Sequence, residues 1–253
     1  MGTLTQNGTP QAKTTALVAP NPMATSIVPR DWAPSAAVVV EAVDLPESLD
    51  PRLIVLREPT SVQARSYRLL QHRLAAQGNP HVLAVTSAKA GEGKTTCATN
   101  LALTLAEASS ARVLLIEANL ARPALGKVFG FEPNSFMDRL VQRLNAAPPY
   151  PVAAVCGSRL QVAALRPSPS SRFPLDRTLL LVAVRSLRRC YDHIIIDAPS
   201  VTESADVDAI SASADGFVIT TRAGKSSKNS LRNAMSLLRP AKVFGAVLLD
   251  TQE

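Results

Sequence analysis

Ser87-Ala88-Lys89-Ala90-Gly91-Glu92-Gly93-Lys94-Thr95-Thr96 is the stretch whose reading decides the fold. Val82 to Thr86, just before it, is a short apolar run that predicts a strand. Ala98-Thr99-Asn100-Leu101-Ala102, just after it, opens an amphipathic helix that continues through about Glu107. A glycine-rich turn between a buried strand and a helix gathers backbone N–H groups and the positive end of a helix dipole around an anion. Ala88-x-x-x-x-Gly93-Lys94-Thr95 fits the Walker A spacing, with Ala in place of the first Gly. Gly91 and Gly93 allow the sharp turn that points successive N–H groups inward at phosphate oxygens. The Lys94 ammonium is placed to bridge β- and γ-phosphates, and the Thr95 hydroxyl to coordinate Mg²⁺. Lys89, Ala90, Gly91, Glu92, Gly93, Lys94, Thr95 and Thr96 are the candidate nucleotide contacts, and ATP with Mg²⁺ is the expected cofactor.

Outward from the loop, strand and helix signals alternate. Arg112 to Glu117 predicts a strand, Arg122 to Phe129 the start of a helix, and Leu160 to Leu165 another strand. Phe136 to Leu144 has a helical pattern, and Pro148-Pro149-Tyr150-Pro151 predicts an extended turn, because each proline disfavours helix at the residue before it. Leu175 to Arg189 forms an amphipathic pattern that leads into the β-branched strand His193 to Asp197. Gly216 to Thr221 and Val243 to Leu249 are further strands, separated by a helix over about Ser227 to Leu238. This alternation predicts an α/β fold, a doubly wound, mostly parallel sheet. The strand ending in Asp197 carries a carboxylate at the carboxyl edge, where such sheets bind ligands. That position suits a Walker B acid holding Mg²⁺ through a water; the plainer alternative is a cap on the following turn.

Composition agrees with such a sheet. Hydrophobic residues make up 46% of the 253 and aromatic residues only 4%, so the core must be aliphatic. A net charge of +7 raises the question of an acidic partner, but no block of five or six like charges appears, and a solvated surface accounts for it better. Cys97, Cys156 and Cys190 have no metal-ligand spacing and read as reduced thiols of a cytoplasmic protein. Neither a membrane-spanning apolar run nor a secretory leader is visible. The first sixty residues hold eight of the nineteen prolines, which predicts a largely disordered tail over 1–60 ahead of an ordered domain over 61–253. Val38-Val39-Val40 within that tail is too short to form a core of its own. Order is expected to begin near Ser61, with a helix over Ser61 to Ala75.

Taken together, these segments resemble the bacterial tyrosine kinases of the CpsD/CapB and Wzc type, P-loop proteins related to the MinD/ParA ATPases. Gly91-Glu92-Gly93-Lys94 matches the core of the family's loop, and Tyr191-Asp192 through Pro199 its Walker B segment. Val113 through Pro123 is similar to the second acidic motif, continued by Gly126 and Phe129-Gly130. Thr221 through Ser227 resembles the late strand-to-helix turn, and Tyr67-Arg68-Leu69-Leu70 the helix before the ATPase core. The likeness covers about 61 to 249 and implies a MinD/ParA-like P-loop NTPase fold. It also implies phosphoryl transfer with Lys94, Asp197 and Glu117 as catalytic residues, and with Thr95, Asp197 and Glu117 around Mg²⁺. The implied setting is exopolysaccharide or capsule synthesis and export. The implied partner is a membrane-bound chain-length regulator (polysaccharide co-polymerase) that recruits a cytoplasmic protein to the inner face of the membrane.

The chain departs from the family pattern at three places. The family's Asp-x-Asp-x-x-Arg motif stands here as Glu117, Asn119 and Arg122. Glu117 keeps its charge with one more methylene; Asn119 has none and cannot act as a base. No tyrosine cluster stands near the C-terminus, since the tyrosines are Tyr67, Tyr150 and Tyr191. Arg65, Arg68 and Gln71 replace the family's ring-assembly motif, so a homo-oligomer stays open but with an altered interface. These departures support a second class of function, a non-catalytic nucleotide-dependent regulator. A third is a MinD/ARA-type or ParA-like positioning ATPase. There Lys89 would reach a partner's nucleotide, and Arg222, Lys225, Lys228 and Arg232 would touch DNA phosphates. Solvated side chains explain those five positions equally well, and nucleic acid is not the expected partner.

Overall fold

The computed structural model describes residues 36–108, 111–133, 148–155, 157–166 and 174–250. Its centre is one eight-stranded sheet in the order β1-β4-β5-β3-β6-β2-β7-β8. The strands are β1 (Val38–Val43), β2 (Val82–Ser87), β3 (Val113–Glu117), β4 (Tyr150–Val155), β5 (Leu160–Ala163), β6 (His193–Asp197), β7 (Gly216–Arg222) and β8 (Val243–Leu249). Neighbours run parallel throughout except β4 and β5, which form an antiparallel pair. The doubly wound, mostly parallel sheet expected from the alternating signals is what the chain forms.

Side chains alternate across each strand, so the central strands contribute to two cores. Ala84, Leu114, Ile116, Ile194, Ile196 and Ile219 face one side. They pack with Leu180, Ala183, Val184 and Leu187 of α5 (Arg177–Leu187). Leu83, Val85, Leu115, Ile195 and Val218 face the other side. There they meet α3 (Lys94–Ala108) through Cys97, Ala98 and Leu101, and α2 (Val62–Ala76) through Ala64, Tyr67 and Leu74. A sheet covered on both faces has no use for polar alternation, which is why its central strands read as continuous aliphatic runs. The remaining helices are α1 (Ile54–Arg57), α4 (Leu125–Phe129), α6 (Asp206–Ser211) and α7 (Lys228–Leu237).

Several expectations need correcting. Order begins well before Ser61. Val38 to Val43 pairs in parallel with β4 over six residues, and Leu53 and Val55 are buried. Three valines are too few for a core of their own, but as an edge strand they need only one neighbour. Tyr150-Pro151 is strand rather than turn. The antiparallel pairing of β4 with β5 starts only at Ala153 and Ala154, so Pro151 sits before that ladder and its missing N–H is not called upon there. The helix expected from Arg122 starts only at Leu125, past Pro123. The helix expected over Phe136 to Leu144, the thiol of Cys156 and residues 1–35 lie outside the described residues.

Asp215, ahead of β7, fastens the entry to β2. Its Oδ2 accepts from the backbone N–H groups of His81 (2.9 Å) and Val82 (2.8 Å), and its Oδ1 lies 2.6 Å from Nη2 of Arg188. Burial pushes this carboxyl up, but the guanidinium and the two N–H donors outweigh it and hold the group below its ordinary value. A depressed folded value means the stabilisation is present above the unfolded value of about 3.9 and is lost as pH falls through the folded one. Asp215→Asn is therefore expected to cost about 1 kcal/mol at pH 7, a figure already discounted for solvent screening, and progressively less as pH falls below the unfolded value and through the depressed folded one. Urea unfolding at pH 7 and in a series of acidic buffers checks this; a cost that does not change with pH would rule out the ionised carboxylate as the cause.

Candidate nucleotide-binding site

The strand order brings the loop after β2 between the carboxyl ends of β6 and β7. Val85 is in register with Asp197, and Asp197 in turn with Glu117 of β3. Gly91 and Gly93 both sit in the left-handed region, at φ +79 and +81. Only glycine takes that conformation freely, so both are required by the turn itself. A Cβ on Gly93 would also lie 2.1 Å from Cδ1 of Leu249, which packs over the loop from β8.

Two carboxylates hold the loop in shape. Glu92, 3% exposed, accepts from the Lys89 N–H (3.0 Å) on one oxygen and from the Ser226 hydroxyl on the other. Ser226 Oγ accepts in turn from the Arg222 N–H at 2.8 Å, so the β7–α7 turn braces the loop. On the opposite flank Glu203 accepts from the Ala90 N–H at 3.1 Å, and Thr202 donates its hydroxyl to the Ala88 carbonyl at 2.6 Å. Lys89 itself is exposed, while Lys94 is 6% exposed. Burial lowers the Lys94 ammonium below its ordinary value, and the Asp197, Glu203 and Glu92 carboxylates oppose that shift. An ammonium held among carboxylates inside a loop of convergent N–H groups is suited to phosphate.

Thr95 and Asp197 meet at the mouth of the loop. The Thr95 hydroxyl donates to Asp197 Oδ2 at 2.7 Å, while Asp197 Oδ1 is buried without a hydrogen-bond partner among the described residues. Burial pushes the Asp197 carboxyl up to about 7; the Thr95 hydrogen bond opposes this, the Glu117 charge adds to it, and Lys94 and Arg52 oppose it. A buried carboxylate with an orphaned oxygen beside a threonine hydroxyl is a donor set that fits Mg²⁺, which prefers hard oxygen ligands.

Glu117, at the end of β3, is engaged by the backbone. Its carboxylate is completely buried, and its oxygens accept from the backbone N–H groups of Ala124, Leu125 (2.9 Å) and Leu165 (2.9 Å). Through these contacts the side chain fixes the start of α4 and the exit of β5. The same contacts explain why α4 starts at Leu125: the carboxylate satisfies N–H groups that a helix start leaves open.

Three contributors carried no signal in the sequence. Arg52, paired with Asp50 at 2.7 Å, brings a positive charge to which both Asp197 and Glu117 respond. Fully buried Asn100 of α3 donates to the carbonyls of Arg52 (2.6 Å) and Thr96 (2.8 Å) and accepts from the Val55 N–H (2.9 Å). It thereby staples residues 52–55 to the first turns of the loop helix. Glu203 is the third.

Residues 83–253 match the family model described as CobQ/CobB/MinD/ParA nucleotide binding domain. The chain belongs to that family. It is 30% identical over 182 residues to the tyrosine-protein kinase CpsD of Streptococcus agalactiae, covering 68% of this chain and 76% of that one. It is 27% identical over 209 residues to the succinoglycan biosynthesis transport protein ExoP of Rhizobium meliloti, covering 78% of this chain and 26% of that much longer protein. Among solved structures, the chimerical protein CapA2B2 superposes with a TM-score of 0.68 at 20% identity, over 87% of this chain and 94% of that one. The MinD/ParA-like fold and the nucleotide-binding loop are thus shared with bacterial tyrosine kinases. No helix among the described residues is long and apolar enough to cross a membrane.

Proposed function

We propose that this chain binds ATP with Mg²⁺ and serves exopolysaccharide or capsule synthesis and export through a membrane-bound polysaccharide co-polymerase, as a cytoplasmic protein recruited to that partner. The observation that carries the nucleotide reading is the Thr95–Asp197 hydrogen bond at the mouth of the glycine loop, with one Asp197 oxygen unpartnered among the described residues. ATP bound with Mg²⁺ supplies an electrophilic terminal phosphoryl group. The loop N–H groups and the Lys94 ammonium hold the phosphate oxygens and neutralise their charge. Thr95 and Asp197 provide oxygens for the cation. Glu117 acts as a positioning residue that fixes the loop leading to α4. The cleft of about 670 Å³ lined by Gly93, Thr96, Tyr67, Arg222, Val247 and Leu249 would hold the nucleotide's base. This cleft adjoins the loop where α3 begins and offers apolar walls to a flat ring.

If the chain transfers phosphate to tyrosine, none of Tyr67, Tyr150 and Tyr191 is presented as an acceptor. Tyr67, Tyr150 and Tyr191 are 5%, 1% and 2% exposed, and Tyr191 donates its hydroxyl to Gln161 inside the core. A nucleotide-gated regulator without chemistry is the second reading, favoured by Asn119 and by the engagement of Glu117 with backbone N–H groups. Nucleotide titration and phosphate release, on wild type, Lys94→Ala and Asn119→Asp, test both. Lys94→Ala is expected to weaken ATP binding at least about tenfold, since it removes a buried charge-assisted contact to phosphate. Turnover lost in Lys94→Ala supports the kinase reading. Binding without turnover, with activity restored in Asn119→Asp, supports the regulator. Failure of wild type to bind ATP·Mg²⁺ overturns both.

A further inference from the structure

The segment after β6 is docked onto the phosphate loop by more contacts than a turn needs. The Val201 N–H donates to the Ser87 carbonyl at 2.9 Å, and the Thr202 hydroxyl to the Ala88 carbonyl at 2.6 Å. Glu203 completes the docking. Its Oε1 accepts from the Ala90 N–H at 3.1 Å and its Oε2 from the Ser200 hydroxyl at 2.7 Å. Those two donors, then the charges of Arg122 and Lys94, hold its carboxyl below the ordinary value, so it is an anion at neutral pH. An exposed carboxylate thus sits on a loop N–H, in the field of the ammonium that this site would use for β- and γ-phosphates.

We propose that Glu203 occupies the place of the terminal phosphate on the loop and thereby discriminates between nucleoside triphosphate and diphosphate. The proposal rests on the nucleotide-binding reading above. An anion that already accepts from Ala90 N–H must give up that contact, or share it with a second anion, when a γ-phosphate arrives. A diphosphate ends short of that position and leaves Glu203 in place. The two states therefore differ at one side chain: with diphosphate, residues 200–203 stay clipped to the loop; with triphosphate, the Glu203 clip opens. Because Val201 and Thr202 bind carbonyl oxygens that phosphate does not compete for, the displacement is local to the carboxylate. Glu203 is consequently a specificity-determining residue, and its penalty falls on the triphosphate alone.

Calorimetric titration of the full chain with ADP and with a non-hydrolysable β,γ-imido ATP analogue, both with Mg²⁺, tests this in wild type, Glu203→Gln and Glu203→Ala. Both variants are expected to bind the triphosphate analogue about tenfold more tightly while ADP shifts less than about threefold, as removal of one like charge near a partly solvated site predicts. An equal shift for both nucleotides, no shift, or weaker triphosphate binding would overturn the proposal. Those outcomes leave nucleotide binding itself intact, since wild type still binds and Lys94→Ala still impairs it. Absence of binding by either nucleotide in every protein would instead remove the nucleotide reading and this proposal with it.

Discussion

Glu117→Ala is expected to lower the folding free energy by about 4 kcal/mol, because it orphans three backbone N–H groups at once, two of them buried and the third, on Ala124, part-buried. Each of the three, on Ala124, Leu125 and Leu165, now donates to one carboxylate that is completely buried. A buried donor left without an acceptor costs roughly 1–3 kcal/mol, and the alanine leaves no oxygen to replace the lost ones. Burial itself pushes the Glu117 carboxyl above its ordinary value, so deleting the charge returns part of its desolvation cost. The net loss is set by the N–H groups, since they stay behind. Glu117→Gln separates the two effects: it keeps one oxygen but turns an amide toward a remaining donor, and about half the loss is expected. Urea unfolding with matched m-values, in the absence of nucleotide, measures both. A loss under about 1 kcal/mol in Glu117→Ala would mean that these N–H groups find other acceptors and that Glu117 does not anchor α4.

The difference between what was legible in the sequence and what was not follows from the range of the interactions. The loop at Ser87 to Thr96 could be read because its constraints are local: two glycines at positive φ, one lysine and one threonine within a single turn. The strand ending in Asp197 could be read because a parallel sheet buried on both faces spells itself as an aliphatic run. The strand at Val38 could not, because its existence depends on Tyr150 to Val155, far along the chain and headed by prolines. Glu117 was read as a carboxylate at the end of its strand, and a carboxylate stands there. The direction of its carboxylate depends on where residues 124, 125 and 165 return in space, which no spacing reveals. Arg52 and Asn100 show the same limit. Asn100 looks like an unremarkable helix residue until Arg52 and Val55 are brought against it. Pairings across the sheet's carboxyl edge are where sequence reasoning fails here, and that edge is also where the site lies.

Asp197→Asn should separate stability from function in opposite directions. The nucleotide-free variant is expected to be more stable than wild type by about 1 kcal/mol, and to lose about a hundredfold of the Mg²⁺-dependent part of its nucleotide affinity. The stability gain follows from the site as it stands: a fully buried carboxylate, one oxygen satisfied by Thr95 at 2.7 Å and the other by none of the described residues, facing Glu117 across one strand register. Asparagine retains an oxygen for the Thr95 hydroxyl and removes the charge, so desolvation and like-charge repulsion both fall. The amide nitrogen that replaces the unpartnered oxygen remains unsatisfied, which keeps the expected gain small. The affinity loss follows because an amide oxygen carries no net charge with which to hold a divalent cation beside phosphates. Thermal unfolding without nucleotide and ATP titration with and without Mg²⁺ measure the two halves. A variant less stable than wild type would show that the Asp197 charge is already compensated by Lys94 and Arg52, and the orphaned oxygen would then be no argument for a cation. Mg²⁺-dependent affinity that survives the substitution would place the cation on Thr95 and phosphate alone, leaving Asp197 to orient the threonine hydroxyl.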